Sequence, residues 1–295
     1  IKAYAASNTI KGGNHNDRIV AAGGSNKSYG EHGHDNIKAW GLSNKVYGGD
    51  HNDTIEVFAA SNTINAGSGN DVVKAAGGKN NINASSGDDK VTAYCGYNTI
   101  TSSSGHNTIT AAGGVNEITT GSGNDKITAD GGGNIIKSGD GHNTINAGGL
   151  ANIITTGKHN DKITALGGAN VNTTMVAGGL YNALTKVGDG NDLMVAMAKG
   201  NALTKVGDGS STMISAAMFN VMPSWGESQD TMIAMGKINA LIGGGSDDLM
   251  IAAGMGNVAF GDSLGIDISG FKDPDSEEAG KDADTEGIDF GRADY

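Results

Sequence analysis

Aliphatic residues recur along the chain at two fixed positions of an 18-residue period. An asparagine opens each period, an aliphatic residue follows two positions later, and another follows eleven positions later, as in Asn62, Ile64 and Val73. Short apolar–polar alternations between glycine-rich segments predict β-strands joined by turns, because a helix would show a 3.6-residue period. One coil cannot bury its own apolar row, so the coils must stack. The sequence predicts an all-β solenoid (β-helix) of about fourteen two-strand coils, with 18-residue repeats followed by 19-residue repeats.

The asparagines that open the periods predict a polar ladder inside the turn. An inward asparagine stacked on the same residue of the next coil satisfies backbone groups that would otherwise be buried without partners. We expect this turn ladder to comprise Asn8, Asn26, Asn44, Asn62, Asn80, Asn98, Asn116, Asn134, Asn152 and Asn170.

The period changes after Asn170, and this change divides the chain. Beyond it the motif becomes Asn-Ala-Leu-Thr-Lys-Val-Gly-Asp-Gly, which occurs at Asn182–Gly190 and again at Asn201–Gly209. We divide the chain into a first solenoid block (residues 1–170), a junction coil (171–181), a Met-rich second solenoid block (182–262) and an acidic tail or linker (263–295).

The predicted strands of the second block are apolar at consecutive positions, as in Leu193–Ala198. Neighbouring residues of a strand point to opposite faces, so one set is expected to face outward as an apolar stripe for a partner, a membrane surface or self-association. Alternatively, a wider or locally helical second block buries both sets. We assign the stripe to Met194, Ala196, Met213, Met232, Ala234 and Met250.

An acidic turn recurs in the first block and is a candidate metal site. The sequence Gly-x-Gly-Asn-Asp at Gly67–Asp71 and Gly121–Asp125 resembles half of the calcium-binding nonapeptide. Stacked carboxylates and turn carbonyls would supply oxygens to calcium, or each Asp would cap its own turn by accepting backbone N–H bonds. Asn107 and Asn143 interrupt the acidic row. The candidate residues are Asp17, Asp35, Asp53, Asp71, Asp89, Asp125 and Asp161.

Composition and charge exclude several classes of function. Glycine accounts for 50 of 295 residues, and the net charge of −12 argues against nucleic acid as a partner. No nucleophile elbow, H-E-x-x-H motif or phosphate loop is present, so we predict that the chain is not an enzyme. The pattern requires no cofactor and leaves calcium as the one ligand to consider.

The two repeat types together resemble the glycine-rich repeats of the MARTX (multifunctional-autoprocessing repeats-in-toxin) toxins, over about Ser7–Asp262. The segment Thr204–Gly209 carries the most distinctive part of this resemblance. It implies a structural arm of a large secreted bacterial toxin, extracellular and then at the host plasma membrane, which helps to form a conduit for effector domains. The alternative is an extracellular scaffold: a filament, sheath or adhesin stalk of stacked solenoids, assembled as a homo-oligomer.

Overall fold

The computed structural model describes residues 1–167, 173–178, 181–188, 191–261 and 264–266. Every regular element among them is a β-strand, and no described residue lies in a helix long and apolar enough to cross a bilayer. The strands pair in parallel with a register of about one coil, and the chain forms a parallel β-solenoid of about 14 turns with roughly 18-residue spacing. The predicted fold class is therefore confirmed.

Twenty-two strands build the described part of the rod. The first eleven are β1 (Lys2–Tyr4), β2 (Ser7–Asn14), β3 (Arg18–His32), β4 (Asn36–Asp50), β5 (Thr54–Ser68), β6 (Val72–Ser86), β7 (Lys90–Ser104), β8 (Thr108–Thr119), β9 (Lys126–Ser138), β10 (Thr144–Thr156) and β11 (Lys162–Gly167). The others are β12 (Thr173–Gly178), β13 (Tyr181–Val187), β14 (Leu193–Met197), β15 (Gly200–Val206), β16 (Thr212–Ala216), β17 (Phe219–Trp225), β18 (Thr231–Met235), β19 (Ile238–Ile242), β20 (Asp248–Ala253), β21 (Gly256–Phe260) and β22 (Leu264–Ile266).

Strands of the first block run through one of the two expected turns. Each of β3 to β7 is 15 residues long and bends at its glycine corner without losing its pairing. Most coils have glycine at this corner, where a Cβ on Gly41 would lie 2.0 Å from the carbonyl oxygen of Gly23 in the coil before. Ala59 and Cys95 occupy the same position in their own coils. Only the acidic turn interrupts the strand, so these coils contain one long bent strand where the sequence predicted two short ones.

The interior is a stack of identical rows. Ile19 and Ala21 are buried, as are their equivalents in successive coils. Val20 between them is also buried, whereas the residues at its position in the following coils of the first block are partly or fully exposed. Parallel pairing in register places Ile37 against Ile55 and Ala39 against Val57. Each coil therefore covers the apolar row of the coil beside it, which no single coil could do.

The two halves of the coil exchange sides at the junction. Strand β11, which follows the acidic turn of its coil, pairs with β13, which begins the asparagine motif, so that Ile163 faces Leu184. Strand β10 pairs with β12, so that Ile154 faces Met175. From there onward, the side of the rod that carried the asparagine row in the first block carries the acidic row.

The interior of the second block is built from methionine and leucine. Met175, Met194 and Met213 stack in register, and Met232 and Met250 continue the row. All six residues assigned to the outward stripe are buried, and that assignment was wrong. Asp192 points inward at the start of β14, and the two-residue period of a strand then turns Met194 and Ala196 inward as well.

Two sequence predictions concern residues that lie partly or wholly outside the described ranges. Of the predicted tail (263–295), the structure describes only strand β22, which pairs with β20. The remainder of the tail lies outside the described residues, and so does Asn170 of the predicted ladder.

Candidate functional site

Asparagine side chains form a hydrogen-bonded ladder along the interior of the first block. The Nδ2 amide of Asn8 donates to Oδ1 of Asn26 at 2.7 Å, and equivalent bonds continue coil by coil to Asn152. The same amides donate to backbone carbonyls of the glycine corner, for example from Asn26 to Trp40 at 2.9 Å. Nδ2 of Asn152 has no partner, because Thr173 follows it across the junction. The asparagines therefore hold the corner in shape.

The acidic row forms a second ladder, through its backbone. Oδ1 of Asp35 accepts the backbone N–H of Asp17 at 2.7 Å, and Oδ1 of Asp71 accepts that of Asp53 at 2.7 Å. Each Asp thus caps the turn of the preceding coil, whereas the sequence interpretation had it capping its own turn. The other oxygen, Oδ2, is buried without a hydrogen-bond partner in Asp17, Asp35, Asp53, Asp71, Asp89, Asp125 and Asp161.

Burial of these carboxyl groups disfavours their charged form. It raises the pKa of Asp53 and of Asp89 to about 7, against an ordinary value of 3.8. It also raises the pKa of Asp35, Asp71 and Asp161, and the backbone N–H bonds only partly oppose the effect. The first block therefore contains a row of carboxyl groups that lack a matching cation.

Two asparagines in the acidic row make the hydrogen bonds that the aspartates at this position lack. Nδ2 of Asn107 donates to the carbonyl of Gly105 at 3.0 Å and to Oδ1 of Asp125 at 3.0 Å. Nδ2 of Asn143 donates to the carbonyls of Gly139 and Gly141 at 3.0 and 3.1 Å. An amide thus finds acceptors where the Asp Oδ2 finds no donor. The interruptions leave the ladder intact, because each Asn still accepts a backbone N–H.

An exposed ladder beside the acidic row was missed by the sequence analysis. The residue before each acidic position accepts the backbone N–H of the next coil, as Asn52 does from Asn70 at 2.8 Å. Histidines also act as acceptors at this position: Nδ1 of His106 accepts the backbone N–H of Asn124 at 2.8 Å. The signal was present, since Asn, His or Asp fills this position in every coil from Asn16 to Asn160. These turns are therefore bound to one another on both the inner and the outer side.

The second block also carries buried basic side chains. Nζ of Lys186 lies 3.2 Å from Oδ2 of Asp192, and Nζ of Lys205 lies 3.4 Å from Oδ2 of Asp230. Lys186 and Lys205 are the only buried basic residues in the described part of the chain. From the sequence, this lysine was recognised only as part of the Asn-Ala-Leu-Thr-Lys-Val-Gly-Asp-Gly motif.

The outer surface of the second block presents apolar rows. On one face Val195, Ile214, Ile233 and Ile251 stack in register, beside Met197 and Met235, which are 60% and 52% exposed. The opposite sheet exposes further large apolar side chains: Phe219, Val221, Trp225, Ile238, Val258 and Phe260. An apolar stripe therefore exists, and it is formed by the neighbours of the residues that the sequence assigned to it.

Stacked coils with an acidic turn and an asparagine corner define the class of the protein, a glycine-rich β-solenoid repeat protein. The model of the RTX calcium-binding nonapeptide repeat (4 copies) matches residues 1–28, 43–57, 58–91, 101–136 and 137–171, together half of the chain, and the chain belongs to this family. No curated protein and no solved structure matches it. The RTX repeat roll is a structural, non-catalytic fold, and proteins that contain it are typically secreted.

RTX nonapeptide repeats bind calcium, and the donors of the acidic row suit that ion in kind. Calcium prefers carboxylate and carbonyl oxygens, and buried Oδ2 atoms without partners lie beside turn carbonyls. No three acidic, histidine or cysteine side chains converge in the described ranges. The Asp17 to Asp161 row would therefore hold calcium through single carboxylates, with backbone carbonyls and water completing the shell. Bound there, calcium would neutralise charge and tie adjacent turns together.

Proposed function

We propose that the chain is the non-catalytic repeat arm of a large secreted bacterial toxin of the MARTX type, and that it acts at the host membrane. Membership of the RTX repeat family supports a secreted structural rod, and the two successive repeat types support the resemblance to MARTX toxins. By that resemblance the arm helps to form a conduit for effector domains carried elsewhere in the toxin.

One observation carries the membrane assignment: a single outward row of the rod changes from polar to apolar at the junction. In the last four coils of the first block this row reads Thr101, Thr119, Lys137 and Thr155. It continues in register as Val176, Val195, Ile214, Ile233 and Ile251. The same strand positions are thus exposed and polar in one block and partly exposed and apolar in the other. The apolar part of the row suits contact with lipids or with another apolar face.

Co-flotation with phosphatidylcholine–cholesterol liposomes tests this role. We expect the purified chain to float, and Ile214→Lys to remain with the soluble fraction because a charge then interrupts the apolar row. Thr119→Lys is the matched control, since it places the same charge on the same row in the polar block. Both variants should melt at the temperature of the unchanged chain.

The scaffold alternative gives a different result in the same samples. If no variant floats and electron microscopy shows rods that lengthen with protein concentration, the apolar row serves stacking of chains rather than lipid. Equal flotation of the unchanged chain and of Ile214→Lys would also contradict the proposal, because binding would then not depend on this row.

A further inference from the structure

Lys186 and Lys205 occupy the position that faces the acidic row across the turn. Each lies four residues after a ladder asparagine, Asn182 or Asn201. In the first block this position carries small side chains or none: Gly12, Gly30, Gly48, Ala66, Ala84, Ser102, Thr120, Ser138 and Thr156. It adjoins the free carboxyl oxygen directly, since a Cβ on Gly48 would lie 2.3 Å from Oδ2 of Asp53. The lysines therefore enter the space beside the buried carboxyl group.

The lysine ammonium groups satisfy the oxygens that lack partners in the first block. Nζ of Lys186 contacts Oδ2 of Asp192 and donates to the carbonyl of Gly188 at 3.2 Å. Nζ of Lys205 donates to the hydroxyl of Ser228 and contacts Asp230. Neither Asp192 nor Asp230 is left with a buried oxygen without a hydrogen bond.

Lys205 pairs with the next coil because its own coil has no acid in the row. Ser211 fills that position, and its hydroxyl lies 3.4 Å from Oδ2 of Asp192. Two lysines thus match two of the three acids in this row, Asp192 and Asp230. The third, Asp248, accepts the backbone N–H of Asp230 and faces Gly243 instead of a lysine. Both lysine side chains are fully buried, so their ammonium groups do not extend to water as surface lysines do.

We infer that Lys186 and Lys205 are built-in counter-ions that replace calcium beside Asp192 and Asp230. A buried carboxylate needs a compensating charge or hydrogen bonds, and the lysines supply both without an external ion. The coils of β13 to β18, which contain these pairs, therefore keep their fold when calcium is removed. The acidic row of the first block, which contains no such lysine among the described residues, is the part of the rod that responds to calcium. The ranges matched by the calcium-binding repeat end at residue 171, before either lysine.

Hydrogen–deuterium exchange of the full 295-residue chain, read by peptide mass spectrometry, tests this division. With EDTA replaced by calcium, we expect slower exchange in strands β3 to β10 and unchanged exchange in β13 to β18. A calcium effect of equal size in both blocks, or in neither, would overturn the inference.

Lysine variants locate the effect in the second block. Lys186→Ala recreates the pair that Ala66 and Asp71 form in the first block. In EDTA we expect exchange in β13 and β14 to become at least about tenfold faster, because removing one partner of a buried ion pair leaves an uncompensated charge. Calcium should slow it again. Unchanged exchange in EDTA would show that the lysine is no counter-ion.

A neutral pair separates charge from packing. The double variant Lys186→Ser, Asp192→Asn copies Ser138 and Asn143 of the first block, and it should retain slow exchange in EDTA without any calcium response. If this variant loses protection as Lys186→Ala does, the lysine acts by filling space and the counter-ion role is refuted.

Discussion

The side chain of Asn182 accepts the backbone N–H of Asp161 at 3.4 Å, across 21 residues of chain. This bond joins the last acidic position of the first block to the first asparagine of the second. In the earlier coils the acceptor of this N–H bond belongs to the acidic row, as Asp35 does for Asp17, whereas here it belongs to the asparagine row. The two ladders therefore exchange sides of the rod while the backbone pairing continues, because either side chain can accept the N–H bond that each step requires.

Substitutions at adjacent positions of β14 will separate interior from surface. Met194→Lys places a charge without a partner in the core and should destabilise the second block by at least about 3 kcal/mol. Val195→Lys points outward and should change stability by less than about 0.5 kcal/mol. Urea unfolding followed by circular dichroism measures both. Equal stability losses would contradict the assignment of faces.

The acidic row should tolerate amides at neutral pH. Asp71→Asn keeps the acceptor for the N–H of Asp53 and replaces an oxygen without a partner by a donor. We expect equal or greater stability without calcium. Asp71→Ala removes the acceptor and should cost about 1–3 kcal/mol, because a buried N–H is left unsatisfied. Thermal unfolding in EDTA compares the two variants, and a loss from Asp71→Asn as large as that from Asp71→Ala would argue for an ionised, bound carboxylate.

Stability without calcium should fall as pH rises from about 4 to about 7. Burial raises the pKa of Asp53 and Asp89 to about 7, so the folded chain retains protons that the unfolded chain releases above its pKa near 3.8. This stabilisation is fully present below the unfolded-state pKa near 3.8, and it is lost as the pH rises through the folded-state pKa of about 7. Melting temperatures in EDTA across this window measure it.

The double variant Asp53→Asn, Asp89→Asn is the control for this pH dependence. It removes two of the titrating groups and leaves the rest of the row and the surface charges in place. Its melting temperature should vary less with pH than that of the unchanged chain. Identical pH profiles would show that other groups account for the dependence.

The exposed ladder predicts different outcomes for two substitutions of one histidine. His106→Asn retains an acceptor for the N–H of Asn124, as Asn52 does for Asn70, and should leave stability nearly unchanged. His106→Ala removes it and should cost about 1 kcal/mol, the net value of a typical hydrogen bond. Denaturant unfolding of the two variants checks this. Equal stability of the two would mean that water replaces the histidine without loss.

The sequence predicted the solenoid of the first block because polar and apolar residues alternate there. Ile64 and Val91 could face only inward, because the residues on both sides of each are polar. In the second block both faces are apolar, and hydrophobicity alone could not distinguish Met194 from Val195. The parity of the strand would have resolved this: Asp192 lies in the ladder row, and residues two and four positions later share its face.

The buried lysines were harder to predict, because the charge of lysine indicates an exposed position while the two-residue period of the strand indicates an inward one. Counting in twos from Asn182 places Leu184 and Lys186 on the same inward face. Lysine is almost never fully buried unless it is paired, so the residue type indicated a surface position. Its partner Asp192 lies across the turn, and only the closed geometry of the coil brings the two together.

The interior ladders give the rod a direction. Each amide step from Asn8 to Asn152 donates toward the C-terminal coil, and so does each N–H step from Asp17 to Asn182. The asparagine ladder of the second block keeps this direction, since Asn220 donates to Asn239 and Asn239 donates to Asn257. Two rods that meet end to end would match only head to tail, since reversing one of them would set like groups against each other. Any fibre grown from this solenoid would be polar, with two distinct tips, and elongation rates could differ between them.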